Sequence, residues 1–412
     1  MKSARRPLLA LLVPVAVISL LFLGSAPAAP VQPRGFVGAY LPDQTTIAEC
    51  AQGVTDYTDC WYQAFANLAY AEGVPAAFER LQAEILVSSE LNRVCHITTH
   101  GIGAGGYLRS KGDLAATVAG GSDLCGGFYH GVMIQALEDI PDGGDAEVAA
   151  LLIDTCFDTV AFPEYGARTN CMHGAGHALM VRENNNLPEM LRVCDAVEAR
   201  EMGMGYYCSL GVTMENFISS WGLDRRWLKE GDPMYPCNVI EPQHRAACFG
   251  GIVQYHAQLV GNEPDALGKI CLEADPAWVA YCLRQAYADL PPAEWEQPAK
   301  IVARCEKVAP YARVCLYSAI TSLAVRGGGP ASIEKAAALC ALLPDGPLGE
   351  ACAYALGGQL NRSGETDIDT DTLCGSFASR PSLAVWCQRR GSLDEEMRDL
   401  GIFIDSPTGV FR

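Results

Sequence analysis

The sequence predicts an all-α fold, an array of disulfide-clamped αα-hairpin repeats stacked as a solenoid or toroid-like assembly. Three observations carry this. Cysteines recur in pairs at a near-constant period. The segments between them are rich in Ala, Leu, Glu and Gln, good helix formers, with little β-branched alternation. Half of the 412 residues are hydrophobic and only 19% are charged, so the chain can bury a large core and is not globally disordered.

The N-terminus comes first. Lys2, Arg5 and Arg6 precede an apolar run from Leu8 to Leu23, followed by Ala26-Pro27-Ala28, the parts of an export signal over residues 1–28. The run is shorter than the roughly 20 residues that a spanning helix needs, and Pro14 interrupts it. Cleavage after Ala28 is expected; an uncleaved N-terminal anchor is the alternative and would be the only membrane contact. Residues 29–45 read as a Pro/Gly-bearing linker. The chain is therefore expected to be exported, periplasmic or secreted, where disulfides persist. Its formal charge of −18 argues against nucleic acid as a partner, because phosphate binding rests on clustered Lys and Arg.

All eighteen cysteines lie beyond the signal. Sixteen form pairs at short spacing: Cys50/Cys60, Cys156/Cys171, Cys194/Cys208, Cys237/Cys248, Cys271/Cys282, Cys305/Cys315, Cys340/Cys352 and Cys374/Cys387. The second cysteines, taken with Cys95 and Cys125, recur about every 36 residues, a period typical of stacked supersecondary units. Helical runs flank them, such as Trp61–Tyr70 after Cys60 and Glu147–Asp154 before Cys156. Turn residues such as Asp275-Pro276 and Pro344-Asp345-Gly346 fall inside the pairs. Each unit is thus expected to be a hairpin clamped at its inter-helix loop, each bridge contributing roughly 2–4 kcal/mol by restricting the unfolded chain. In this design the array resembles the cysteine-rich Sel1-like helical repeat proteins, which also staple αα-hairpins with disulfides; no functional residue carries over from them. Cys95 and Cys125 each look like the second cysteine of a unit that has lost its first. They are expected to be bridged, to each other or across neighbouring hairpins, with thiolates binding a soft metal as the alternative.

Residues 46–262 are rich in Gly and His, residues 263–395 are plain Cys-paired repeats, and 396–412 form a cysteine-free tail. Five of the seven histidines fall between positions 96 and 177 and are registered against cysteines: Cys95-His96-Ile-Thr-Thr-His100-Gly, Cys125-Gly-Gly-Phe-Tyr-His130-Gly and Cys171-Met-His173-Gly-Ala-Gly-His177. His96/His100 and His173/His177 are His-x₃-His pairs, so both rings of a pair leave one helix face. In a stack, neighbouring units would aim them into one space. The repeated His-Gly predicts close helix packing or room for a ligand beside the backbone.

Converging neutral imidazoles suit a transition metal, Zn or Cu first and Fe next. The expected ligands are His96, His100, His130, His173 and His177, with His256 as an outer candidate. Two clusters of three, with His256 in the second, would resemble the paired-copper centres of tyrosinases and hemocyanins in spacing and ligand count. Glu215, seven residues after Cys208, is a candidate ligand or general base, against the plainer reading of a solvated helix carboxylate. Tyr129 is a candidate for orienting substrate or a packing residue, and His244 is expected in a surface loop. A covalent haem is disfavoured because Cys-x-x-Cys-His is missing, and zincin, Gly-x-Ser-x-Gly and P-loop motifs are missing too. Asp367, Asp369 and Asp371 alternate like a calcium loop without its Gly and Glu, and Asn361-Arg-Ser363 fits a glycosylation acceptor.

The leading functional expectation is a metal-dependent enzyme acting on a small-molecule or peptide substrate, by metal–water hydrolysis or by oxidation at copper or iron. Its rivals are a non-enzymatic scaffold that binds a peptide or protein, and a metal-storage or delivery protein.

Overall fold

Several helices start where the sequence caps them. In the computed structural model the Thr46 side chain and Glu49 form a capping box for α1 (Ile47–Cys50). Ser88 accepts from the Leu91 amide at the head of α4 (Ser89–Arg109). Proline occupies the first turn of α9 (Leu187–Arg200), α11 (Pro242–Leu259), α12 (Pro264–Cys271), α14 (Pro298–Glu306) and α18 (Pro381–Gln388), where its missing N–H costs nothing.

The structure describes residues 40–389 apart from 54–56, 139–142, 219–226, 291–296, 327–329, 363–373 and the single positions 123, 184, 262 and 289. The expected signal, the first part of the linker, the Asp367–Asp371 alternation, Ser363 of the glycosylation motif and the tail lie outside the described residues. Every described element is helical, and the fold is all-α. No helix among the described residues is long and apolar enough to cross a membrane.

The helices fall into two rows. In the first, each packs on the next: α2 (Tyr57–Glu72), α4, α6 (Phe128–Ala136), α8 (Tyr165–Arg182), α10 (Met204–Ile218), α11, α13 (Val279–Ala286), α15 (Ala312–Arg326), α17 (Pro347–Arg362) and α18. The second row backs it, with α3 (Val74–Ile85), α7 (Asp145–Cys156), α9, α12, α14 and α16 (Pro330–Ala341) leaning on the front helices. A short α5 (Leu114–Val118) packs on α4 and α6. This order is consistent with stacked hairpins.

All nine disulfides form, and no cysteine is free. Eight join a front helix to the segment immediately before it, as the spacing predicted. Cys95 in α4 bridges Cys125. Cys125 is not a mid-helix cysteine like the other second partners. It lies in the one-turn 3₁₀ segment Leu124–Gly126 with φ +61°, so a turn rather than a hairpin is clamped there.

Two further observations concern boundaries. One apolar core runs from Phe217 to Cys387 and takes in residues on both sides of position 262. Tyr40, inside the expected linker, is fully buried: its amide donates to Gln135 Oε1 at 2.8 Å and its hydroxyl to Asn67 Oδ1 at 2.9 Å.

Between α2 and α10 the front helices touch backbone to backbone through glycine. A Cβ on Gly101 or Gly105 of α4 would overlap the Tyr62 or Ala66 carbonyl of α2; on Gly131 of α6, the His100 carbonyl of α4; on Gly176 of α8 or Gly211 of α10, the carbonyls of Cys208 or His173. Of the two readings of His-Gly, close packing is what the structure shows at Gly101 and Gly131. Gly131→Ala is expected to lower stability by about 2 kcal/mol or more, because the neighbour is backbone and cannot swing away. Gly166→Ala, exposed in the first turn of α8 with open space around it, should instead raise stability by about 0.5–1 kcal/mol. Chemical denaturation of both variants checks the pair; equal effects would mean that the helices do not pack this closely.

Candidate metal centre

Four consecutive front helices carry the site. Helix α4 supplies His96 and His100, α6 supplies His130, α8 supplies His173 and His177, and α10 supplies Glu215. With glycine at the contacts, the rings stand side by side: centroids are 4.9 Å apart for His96–His100, 5.1 Å for His100–His130, 4.7 Å for His130–His173, 4.5 Å for His130–His177 and 4.9 Å for His173–His177. Potential donor atoms form two triads, His96/His100/His130 and His130/His173/His177, each within 4.8 Å, so His130 belongs to both. His100, His130 and His177 are buried; His96 and His173 are half-buried and form the edge of the cluster.

The outer rings are held from behind. His96 Nδ1 lies 2.8 Å from the Cys125 carbonyl oxygen, which can only accept, so Nδ1 carries the proton. In the neutral ring, Nε2 then presents its lone pair. His177 Nδ1 lies 2.8 Å from Glu215 Oε2, which fixes the same tautomer in that ring. Both Nε2 atoms face inward, His96 Nε2 3.2 Å from His100 Nε2 and His177 Nε2 3.1 Å from His173 Nε2. His130 Nδ1 is 3.2 Å from the same His100 Nε2. Two nitrogens bound 2.0–2.1 Å from one tetrahedral ion would be about 3.3–3.4 Å apart. The observed separations are within a few tenths of an ångström of that, and the donor set fits a transition-metal ion.

Electrostatics points the same way. Burial, reinforced by the neighbouring imidazoles, pushes His100, His130 and His173 well below the usual histidine range. Burial also lowers His96, although its bond to the Cys125 carbonyl opposes the shift. These four rings are neutral near pH 7, the form that ligates metals.

Glu215 is in hydrogen-bond contact with His177. Its place differs from the solvated-helix reading, since Glu215 is buried and its Oε1 has no hydrogen-bond partner. It also stands behind His177 rather than ahead of it, which makes it a positioning residue. The ring of Tyr129 packs at 5.5 Å from Phe128 and 6.1 Å from Phe162, as a packing residue would. His256 is not brought to the cluster; it sits in α11 with Nε2 2.6 Å from the Pro233 carbonyl oxygen, so a second triad built on it does not form. His130 takes that place by serving both triads.

His244 departs most from expectation. It is buried in the first turn of α11, with Nδ1 2.9 Å from Ser209 Oγ and Nε2 3.2 Å from Asp195 Oδ1. Asp195 and His244 line a cavity of about 260 Å³, but Ser209 does not line it and is only 1% exposed. A substrate has no path to that hydroxyl, so the Ser-His-Asp chain ties α9, α10 and α11 together. The Cys125 carbonyl was also missed, although a Cys95–Cys125 bridge necessarily brings residue 96 near residue 125.

Comparison of the chain with family models, curated proteins and solved structures finds no match, so function rests on this geometry. Nine disulfides and no free thiol are the make-up of a chain folded in an oxidising compartment.

The depressed histidines predict a pH dependence. Below about pH 6.5 the unfolded chain takes up protons that the native cluster excludes, so stability falls as pH drops. The thermal midpoint of metal-free protein should decline between about pH 7.5 and pH 5, and His173→Asn should flatten the decline. A midpoint that is level over this range would mean that the rings protonate freely in the native state.

Proposed function

We propose that this protein is an exported, metal-dependent enzyme acting on a small-molecule or peptide substrate, its metal held by His96, His100, His130, His173 and His177. The observation that carries the reading is the convergence of imidazole nitrogens, three pairs of them 3.1–3.2 Å apart, in two triads sharing His130. An all-nitrogen donor set of this kind suits Zn or Cu first and Fe next. When bound, zinc would supply Lewis-acid and water-activating chemistry, and copper or iron would supply oxidation.

The chain's own residues do the rest. The Cys125 carbonyl and Glu215 keep Nδ1–H on His96 and His177 and aim their Nε2 lone pairs inward. Burial keeps His96, His100, His130 and His173 unprotonated. Three histidines of a triad would hold a metal ion and leave room for a water or substrate beside it, as catalytic sites do. The cluster is least buried at its edge, at His96 and His173, and this favours catalysis over storage. The scaffold reading finds less support. The large cavity of about 590 Å³, lined in part by Leu228, Tyr235, Tyr255 and Leu259, lies against α11 and the segment before it and reaches the plain units only at Ile270 and Glu273 among the described residues.

Elemental analysis of full-length protein purified without chelator should find at least about one equivalent of transition metal, absent from a variant in which His100, His130 and His173 are all Ala. Substoichiometric metal that the triple substitution leaves unchanged would overturn the reading. Glu215→Gln should weaken metal affinity by roughly 10–100-fold while helical content is retained, since it removes a partner of a ligand and not a ligand. Competition with a chromogenic chelator measures this, and an unchanged affinity would remove Glu215 from the site.

A further inference from the structure

The front row carries a pocket that the proposed reaction does not use. Between α13 and α15 lies a cavity of about 260 Å³ lined by Arg284, Gln285, Ala288, Tyr317, Ser318, Thr321 and Ser322. Ser318 and Ser322 are 3% and 5% exposed, and the hydroxyls of Ser318, Thr321 and Ser322 are buried with no hydrogen-bond partner. Leaving such a group unsatisfied destabilises the fold. Three on adjoining turns of one helix, at the wall of a cavity, form a preassembled set of donors with nothing to donate to.

The charge of the pocket says what they serve. Arg284 is exposed at the rim and makes no ion pair among the described residues, on a chain with 48 acidic side chains. Among the described residues, no carboxylate lines the pocket. The guanidinium, the Gln285 amide and four hydroxyls can all donate hydrogen bonds. The volume is below the roughly 300–1,000 Å³ of pockets for drug-sized ligands, so the occupant is small. Position in the stack agrees. Arg284 stands two residues after its bridging cysteine, as His173 does; Thr321 stands six after, as His177 does; Ser322 stands seven after, as Glu215 does. The face that holds imidazoles in the Gly-rich units thus holds hydroxyls and a guanidinium in the plain ones.

We propose that this pocket is a binding site for a small oxyanion, a phosphate, sulfate or carboxylate group, clamped by Arg284 at the rim and by Ser318, Thr321 and Ser322 within. The site is independent of the histidine cluster and stands whether or not that cluster binds metal.

Calorimetric titration of the full chain with inorganic phosphate, sulfate and acetate, at constant ionic strength set with chloride, tests it. Saturable one-to-one binding of at least one of the three is expected. Arg284→Gln, an exposed substitution that leaves the core alone, should weaken it at least about tenfold through loss of the charge-assisted bonds. The double variant Ser318→Ala, Ser322→Ala should lose binding as well, yet show a higher thermal midpoint than the parent without ligand, because it removes two unsatisfied buried hydroxyls. No saturable binding of any of the three anions would overturn the proposal. So would binding that Arg284→Gln leaves unchanged, which would seat the anion elsewhere, or a double variant that binds as the parent does.

Discussion

Backbone contact between neighbouring helices is the constraint on which the site depends. Imidazoles on adjacent helices reach one another only if the helices approach more closely than ordinary side chains allow. At Gly101, Gly131, Gly176 and Gly211 the backbone of one helix lies where the neighbour's Cβ would otherwise be. Each glycine costs helix stability relative to Ala, roughly 0.8–1 kcal/mol, and a row of them would make these helices poor ones in isolation. The disulfides offset this by tying eight front helices to the segment before them and α4 to the turn after it, so that these helices need not be stable alone. Glycine brings the rings together and cystine keeps the loosened helices in place.

The Cys95–Cys125 bridge shows how closely these two devices are joined. It clamps a single turn rather than a hairpin, and that turn holds the carbonyl that orients His96. His96 follows directly on a bridged cysteine, so its backbone and its ring are anchored at adjacent points. On the opposite side of the cluster, a buried carboxylate from the next helix does for His177 what the carbonyl does for His96. His130, between the two pairs, has a ring nitrogen close to His100 and lies nearly parallel to His177. The cluster is therefore one continuous group with supported ends.

Much of this could be read in the chain beforehand. The pairing of sixteen cysteines followed from spacing, because a hairpin loop admits only its nearest partners. Five of the six proposed histidine ligands converge, because helical register and a repeat period together fix which residues share a face. His256 failed the same test. It lies in a repeat with the right period, but α11 follows a long loop, and a carbonyl of that loop meets the ring. His244 was misjudged because burial of a helix's first turn depends on what the neighbouring helices present, here Ser209 and Asp195.

The sequence by itself determined the helical class, the disulfide framework and the identity of the imidazole face, since these depend on local propensity, loop length and periodicity, which are properties of short segments. Tertiary structure alone decided that His130 serves both triads, that Glu215 stands behind a ligand, and that three hydroxyls of α15 face a cavity. Those are facts of distance between helices, and the separation of two helices is set by the atoms meeting at their contact, often a glycine against a carbonyl many residues away.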